Sequence, residues 1–250
     1  MRPDQIRIVE VGPRDGLQNE AQPLTPQERV ALIEQLADAG LRDIEAGSFV
    51  SPRWVPQMAG SDEVLIALAG RKDLRLPVLV PNKKGYELSR GAGAREIAVF
   101  GAASETFSQR NINCSIAESL TRFGEVCALA KADGVVIRGY ISCVLGCPYE
   151  GDVDISQVAR LAAQLAEMGC SEISLGDTIG VGTPDKARAL TKACASEVGL
   201  DNLSVHFHDT YGQALANILA CIEIGVTSVD AAVGGLGGCP YASGSAGNVA

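Results

Sequence analysis

This sequence predicts a (β/α)8 barrel, the TIM-barrel form of the α/β class, on three observations. Short runs rich in Val and Ile alternate with longer helical patterns from one end of the chain to the other, and eight short runs can be counted. Most of these runs are nearly continuous in apolar character, which suits parallel strands buried on both faces. Three segments, LADAGLRDIEAG, LAEMGCSEISLGD and CIEIGVTSVDAAVGG, also share one plan of helix end, glycine, short turn and strand. Alternation alone would allow a doubly wound sheet, but no G-x-G-x-x-G follows the first run. No linker or low-complexity stretch divides residues 1–250, so a single domain is expected.

The elements come in order. Ile6–Val11 is the first strand run. Thr25-Pro-Gln-Glu28 is a capping box with Pro at the first helical position. Val30, Ile33, Leu36 and Ala37 recur at helical spacing, and Gly40 is placed to end that helix. Strand runs come next at Asp43–Gly47, Leu74–Val80, Glu96–Phe100 and Val135–Val144. A helix from Asp154 to Gly169 has Asp154 as its cap and Gln157 at the third helical position. After the strand Glu172–Gly176, Thr183-Pro184 opens a helix that reaches Val198-Gly199. Leu203–His208 and Ser228–Val233 complete the eight strands. The sequence stops at Gly247-Asn-Val-Ala250, where an eighth outer helix is due, so the C-terminal helix region is expected to be truncated.

A net charge of −9 argues against nucleic acid or an anionic membrane as the main partner. An anionic substrate stays open, since local basic residues or a metal reverse the local field. The eight cysteines form no C-x-x-C pair, and several lie in apolar runs, as in a reduced intracellular protein. Cys143 and Cys147 lack the second half of a zinc site and read as packing residues. The N-terminus has neither an apolar signal core nor an Arg/Ser-rich transit stretch, and no apolar run is long enough to span a membrane. A cytoplasmic location is the expectation.

Barrel active sites lie at the C-terminal ends of the strands, which says where to look. His206 and His208 are the only histidines, two residues apart in LSVHFHD. On a strand they share a face, a ready first half of a metal site. Arg14 and Asp15 fall just past the first strand, and Asn248 lies beyond the last. Asp15, His206, His208 and Asn248 offer two oxygens and two nitrogens, a set that favours Mg²⁺ or Mn²⁺ and leaves Zn²⁺, Fe²⁺ and Co²⁺ open. Taken locally, Asp15 also reads as a turn residue and Asn248 as a helix cap. Arg14 is a fixed cation for a developing enolate, or half of a surface ion pair. Glu45 and Asp177, at strand ends, are candidates for orienting Arg14 or the histidines, or else structural carboxylates. The glycine-rich segment Gly234–Ser243 carries Cys239 and reads as a mobile lid bearing a proton-transfer thiol, or as a plain loop with a buried cysteine. Lys83 and Lys84 offer charge to the phosphates of a large anionic substrate, or form a solvated pair at a helix start.

Seven stretches together carry a more specific signal: EVGPRDGLQNE, SFVSPRWVPQM, FGAASETFSQRNINCSI, GYISCVLGCPYEG, LGDTIGVGTP, HFHDTYG and GGLGGCPYASGSAGN. With them the chain resembles the 3-hydroxy-3-methylglutaryl-CoA lyase family of metal-dependent barrel lyases over nearly its whole length. The resemblance implies retro-Claisen-type cleavage of 3-hydroxy-3-methylglutaryl-CoA, an acyl-CoA, to acetyl-CoA and acetoacetate, as in leucine degradation and ketone-body formation. It implies that Asp15, His206, His208 and Asn248 are metal ligands and that Arg14 stabilises the enolate. It makes Cys239 the loop thiol of proton transfer, Glu45 and Asp177 acidic positions needed for activity, and His206 a helper in proton transfer. Members of the family usually continue well past Asn248, which bears on metal affinity, barrel closure and the contacts of a homodimer. Other readings are a lyase for a longer 3-branched glutaryl-CoA, a synthase condensing an acyl-CoA with a 2-oxo acid, and a non-catalytic metal-binding scaffold. The synthases lack the cysteine-bearing glycine-rich loop, which favours the lyase.

Overall fold

The computed structural model describes residues 2–238 and 244–250. Its strands are β1 (Arg7–Glu10), β2 (Asp43–Ile44), β3 (Gly47–Ser48), β4 (Val78–Leu79), β5 (Glu96–Ala102), β6 (Val136–Ser142), β7 (Glu172–Asp177), β8 (Leu203–Phe207) and β9 (Ser228–Ala231). They form one sheet in the order β2-β1-β9-β8-β7-β6-β5-β4-β3, and all neighbours are parallel. The two ends of that order, β2 and β3, are one stretch of chain. Between them the Glu45 amide donates to the Glu10 carbonyl at 2.8 Å, while the Ala46 amide donates to the Pro77 carbonyl at 2.9 Å. Residues 43–48 thus bond to both neighbours and close the sheet on itself, so the nine strand segments are the eight strands of a barrel. The run expected at Leu74–Val80 keeps a ladder only at Val78–Leu79, with an isolated bridge from Arg75 to Asp43. Pro77 interrupts it, because proline has no N–H to give the ladder.

Helices α1 (Pro26–Asp38), α2 (Ser61–Ala67), α3 (Lys83–Gly91), α4 (Glu105–Ile112), α5 (Ile116–Ala132), α6 (Ile155–Met168), α7 (Pro184–Val198) and α8 (Ala214–Ile222) lie between the strands. The Thr25–Glu28 capping box forms in both directions. Asp154 caps α6 by accepting from the Ser156 amide, and Gly169, at φ 106°, ends it in the left-handed region that only glycine enters freely. Gln157 does not reach back to its cap; it donates to the Ala103 carbonyl at 3.2 Å. Strict alternation does not predict α4, which adds an extra helix at the barrel mouth. Among the described residues no α-helix follows β9.

The strands are not uniformly apolar on both faces. Ile137, Ile141, Ile173, Leu175, Val205 and Phe207 are buried in the core shared with the helices. Their alternates, Arg138, Tyr140, Ser174, Ser204, His206 and Asp230, contact one another inside the barrel. The lumen is a polar, hydrogen-bonded network, and the period-two pattern of the strands encodes it. The outer core is conventional. Leu190 on α7 is fully buried in it. Leu190→Ala should lower stability by about 2–5 kcal/mol, read as a fall in the urea midpoint at constant m. The seven described cysteines are all buried, and none is in a disulfide. Cys143 and Cys147 sit there as packing residues, with the Cys147 thiol 3.0 Å from the Ser104 hydroxyl.

Candidate metal and active site

The C-terminal strand ends gather most of the candidate site residues. After β1 the chain makes a π-type turn, Gly12–Gly16, in which the amides of Arg14, Asp15 and Gly16 all donate to the Val11 carbonyl at 2.7–3.2 Å. The turn needs its glycines. A Cβ at Gly12 would lie 2.5 Å from Glu10 Oε1, and one at Gly16 would lie 2.7 Å from Leu236 Cβ. This geometry turns Arg14 and Asp15 together over the barrel mouth.

Arg14 is buried. Its Nε donates to Glu45 Oε2 at 2.7 Å and its Nη1 to Asp15 Oδ1 at 2.6 Å, and its guanidinium lies 5.6 Å from the Tyr140 ring centre. Burial pulls its basicity down, but the Glu45 and Asp15 carboxylates outweigh it and hold the guanidinium above its ordinary value. Burial also acts on Glu45, pushing its carboxyl up against the opposing pull of Arg14. Glu45 Oε1 is buried without a hydrogen-bond partner.

Asp15 faces the histidines. Burial raises its carboxyl, and the charges of Arg14, His206 and His208 more than reverse this, so it is held below the ordinary range. The Asp15 carboxylate and one nitrogen of each histidine lie within 4.8 Å of one another. The Asn248 amide nitrogen donates to Asp15 Oδ2 at 2.8 Å, while its Oδ1 is buried with no hydrogen-bond partner. The His206 and His208 Nδ1 atoms are both engaged, with Asp230 Oδ2 and the Ala246 carbonyl respectively, each at 3.0 Å. That leaves the two Nε2 atoms and the orphaned Asn248 oxygen open, beside an Asp15 carboxylate whose oxygens keep further lone pairs after accepting from Arg14 and Asn248. The set fits a hard or borderline divalent cation. The histidines differ electrostatically. Burial lowers His206, but its bond to Asp230 and the Asp15 charge carry it above its ordinary value. Burial and the neighbouring His206 take His208 down to about 4.

These groups open onto a cavity of about 760 Å³ whose wall includes Arg14, Asp15, Tyr140, His206 and His208, with Trp54 and Arg110 at its rim. Asp177 is placed differently. Its carboxylate accepts the Gly182 and Val181 amides at 2.8 and 3.3 Å, so the side chain ties the turn after β7, and toward the histidines only the Asp177 backbone carbonyl bonds, accepting from the His208 amide at 3.3 Å. Burial raises its carboxyl, and those amides offset part of the shift. Lys83 and Lys84 do not line this cavity. Lys83 is exposed on the first turn of α3 with Nζ 4.0 Å from Glu87, and Lys84 borders a separate depression against α2. Asn82 beside them does reach the cavity wall and caps α3 through the Gly85 amide. Cys239 lies outside the described residues. Gly238, next to it, lines the cavity, and its carbonyl accepts from Asn19 Nδ2 at 2.9 Å.

Three groups on the lumen wall escaped the sequence reading: Arg138, Tyr140 and Asp230. Arg138 donates to Asp230 Oδ1 at 2.6 Å and to the Tyr140 hydroxyl at 2.6 Å. The signal was present as Arg138-x-Tyr140 within VIRGYIS and as an aspartate inside SVDA, polar residues at period two in otherwise apolar strands.

The chain is similar to known proteins along nearly its whole length. The chain is 58% identical over 248 residues to the 3-hydroxy-3-isohexenylglutaryl-CoA/hydroxy-methylglutaryl-CoA lyase of Pseudomonas aeruginosa, covering 99% of this chain and 83% of that one. The crystal structure of hydroxymethylglutaryl-CoA lyase from Pseudomonas aeruginosa superposes with a TM-score of 0.96 at 58% identity, over 100% of this chain and 83% of the other. An HMG-CoA lyase from Acinetobacter baumannii, solved in complex with coenzyme A and 3-methylmalate, matches at 35% identity with a TM-score of 0.94, over 98% and 80% of the two chains. The HMGL-like family model matches residues 5–250, and the chain belongs to that family.

Proposed function

We propose that this protein cleaves 3-hydroxy-3-methylglutaryl-CoA to acetyl-CoA and acetoacetate. The observation that carries the reading is the convergence of Arg14, Asp15, His206, His208 and Asn248 at one barrel mouth, in a chain 58% identical to a lyase of that name. Asp15, His206, His208 and Asn248 would hold a divalent cation, Mg²⁺ or Mn²⁺ as the proposed ions, which when bound makes the substrate's hydroxyl and carbonyl oxygens easier to ionise and polarise. In the reaction the C3 hydroxyl loses its proton and the C2–C3 bond breaks. C3 becomes the ketone of acetoacetate, and the bonding pair passes to the thioester as an enolate. Arg14 supplies a positive charge already fixed by Glu45 and Asp15, so no reorganisation is needed as the enolate oxygen charges. Cys239 is the proposed donor that returns a proton to C2; His206 has its Nδ1 on Asp230, so once its Nε2 ligates a cation its proposed help on the hydroxyl side is through that cation. A reduced, cytoplasmic setting is part of the proposal and is supported by the buried thiols of the described residues.

A substrate panel tests the assignment. Cleavage of 3-hydroxy-3-methylglutaryl-CoA is expected, and release of free CoA that depends on a 2-oxo acid would instead make the protein a condensing synthase. Cation binding with turnover of neither substrate would make it a scaffold. Cys239 has its own test. Cys239→Ser replaces the thiol by a far weaker acid, so turnover should fall with little change in melting temperature. An alkylating reagent should inactivate the enzyme, substrate should protect it, and mass spectrometry should place the adduct on Cys239. Near wild-type turnover of the serine variant would remove the thiol from the mechanism.

A further inference from the structure

His206 and His208 offer the same atom to the same site, but they are held by different kinds of acceptor. The Nδ1 of His208 meets a neutral carbonyl, that of Ala246. The Nδ1 of His206 meets the carboxylate of Asp230, which is 1% exposed and lies on β9, two strands from β7 and next to the histidine's own strand. Nothing in the proposed reaction touches Asp230, yet it is the most heavily bonded carboxylate in the lumen. Arg138 donates to it twice, at 2.6 Å to Oδ1 and 3.2 Å to Oδ2. Ser174 donates to Oδ2 at 3.0 Å and Ser204 to Oδ1 at 3.2 Å. Arg138 is itself held from behind by Glu172 at 2.6 Å. Four donors therefore fix both oxygens of Asp230 before the imidazole is counted.

We propose that Asp230, anchored by Arg138, Ser174 and Ser204, is a positioning residue of the metal site: it accepts the Nδ1 proton of His206 and commits the Nε2 lone pair to the cation. The inference rests on the metal reading above and extends it to residues outside the ligand set. Its physical basis is general. A carboxylate behind a ligating histidine selects the tautomer, fixes the ring plane and makes the far nitrogen a stronger donor. The ring plane of His206 has a second constraint in Tyr140, whose ring stands edge-on to it at 80° with centroids 5.8 Å apart. Tyr140 is in turn bonded through its hydroxyl to Arg138. One arginine thus steadies both groups that orient His206. The site is accordingly asymmetric. Asp15 and His206 are set by β1, β8 and β9 of the barrel, whereas His208 and Asn248 depend on the segment after β9 for their orientation.

The test is made without substrate, so that it stands apart from the proposed lyase activity. Mn²⁺ binding is titrated by the electron paramagnetic resonance signal of the free ion, on wild type and on Asp230→Asn, with circular dichroism to follow the fold. The dissociation constant of the folded variant should rise roughly 10- to 100-fold, the usual cost of removing an outer partner of a metal-bound histidine. A folded variant that binds Mn²⁺ within twofold of wild type overturns the proposal. If the wild-type protein binds no Mn²⁺, the metal reading itself fails, a result distinct from this one. Because Asp230→Asn also strips Arg138 of its partner, the wild type supplies an independent measurement. With two histidines in the chain, ¹⁵N spectra of metal-free, histidine-labelled protein in mildly alkaline buffer contain two rings. Both Nδ1 atoms face acceptors, so both rings should be Nδ1–H tautomers, and only the His206 ring should respond to Asp230→Asn or, should that variant not fold, to Ser204→Ala. A His206 ring protonated at Nε2 overturns the proposal.

Discussion

Arg14→Gln should leave the barrel folded and slow cleavage by roughly a hundred- to a thousandfold, since a positioned donor on a developing oxyanion is worth about 2.7–4 kcal/mol. The loss is specific to the transition state. Glutamine can still donate one hydrogen bond, but it brings no charge to an oxygen that becomes an enolate. The fold should survive because the variant leaves Glu45 a way out. Burial already pushes the Glu45 carboxyl up, and losing the guanidinium pushes it the same way, towards the neutral form that burial tolerates. Arg14→Lys should recover only part of the rate, because a lysine is a point charge that cannot bridge Glu45 and Asp15 with separate nitrogens as Arg14 does. Single-turnover rates at saturating substrate, beside thermal melts of both variants, check this. A loss below about tenfold would remove Arg14 as the main electrostatic stabiliser.

Removing the cation should have the larger effect. Excess chelator should abolish cleavage, and Mg²⁺ or Mn²⁺ should restore it. His208→Ala removes a direct donor, so its cation affinity should fall by more than the roughly 10- to 100-fold expected for an outer partner. Asn248→Ala should act in the same direction, since its buried Oδ1 has no protein partner to replace. Metal titration by calorimetry and activity in metal-buffered assays measure the two effects separately. Full activity in excess chelator would sink the metal proposal.

The legible parts of this molecule were those with a local code. The caps at Thr25 and Asp154, the glycine stop at Gly169 and the period-two histidines each arise from a few neighbouring residues, and each appears where the pattern places it. Arg14 and Asp15 were legible because the barrel rule points to residues just past a strand's C-terminal end. The contacts that escaped depend on the sheet. Asp230 and Arg138 are 92 residues apart and meet only because β6 and β9 face one another across the lumen. Asp177 sits at a strand end like Glu45, yet its carboxylate folds back onto its own turn, a choice set by the positions of the Val181 and Gly182 amides. Lys83 and Lys84 open α3 directly after Asn82, which lines the cavity, but neither lysine lines it, a difference of side-chain direction that spacing along the sequence does not encode.

The hydrogen bond between Asp15 and Asn248 joins positions 233 residues apart. Most of the chain therefore forms a single loop whose two ends meet at the candidate cation donors. Bringing such distant points together is a large entropic demand on an unfolded chain, though one that grows only with the logarithm of loop length. A cation that binds the native arrangement alone acts as a reversible clasp on that loop, adding about 2.7 kcal/mol at a hundredfold excess over its dissociation constant. The melting temperature should accordingly climb with cation concentration, and a chelator should loosen the closed chain much as a reductant loosens one held by a disulfide.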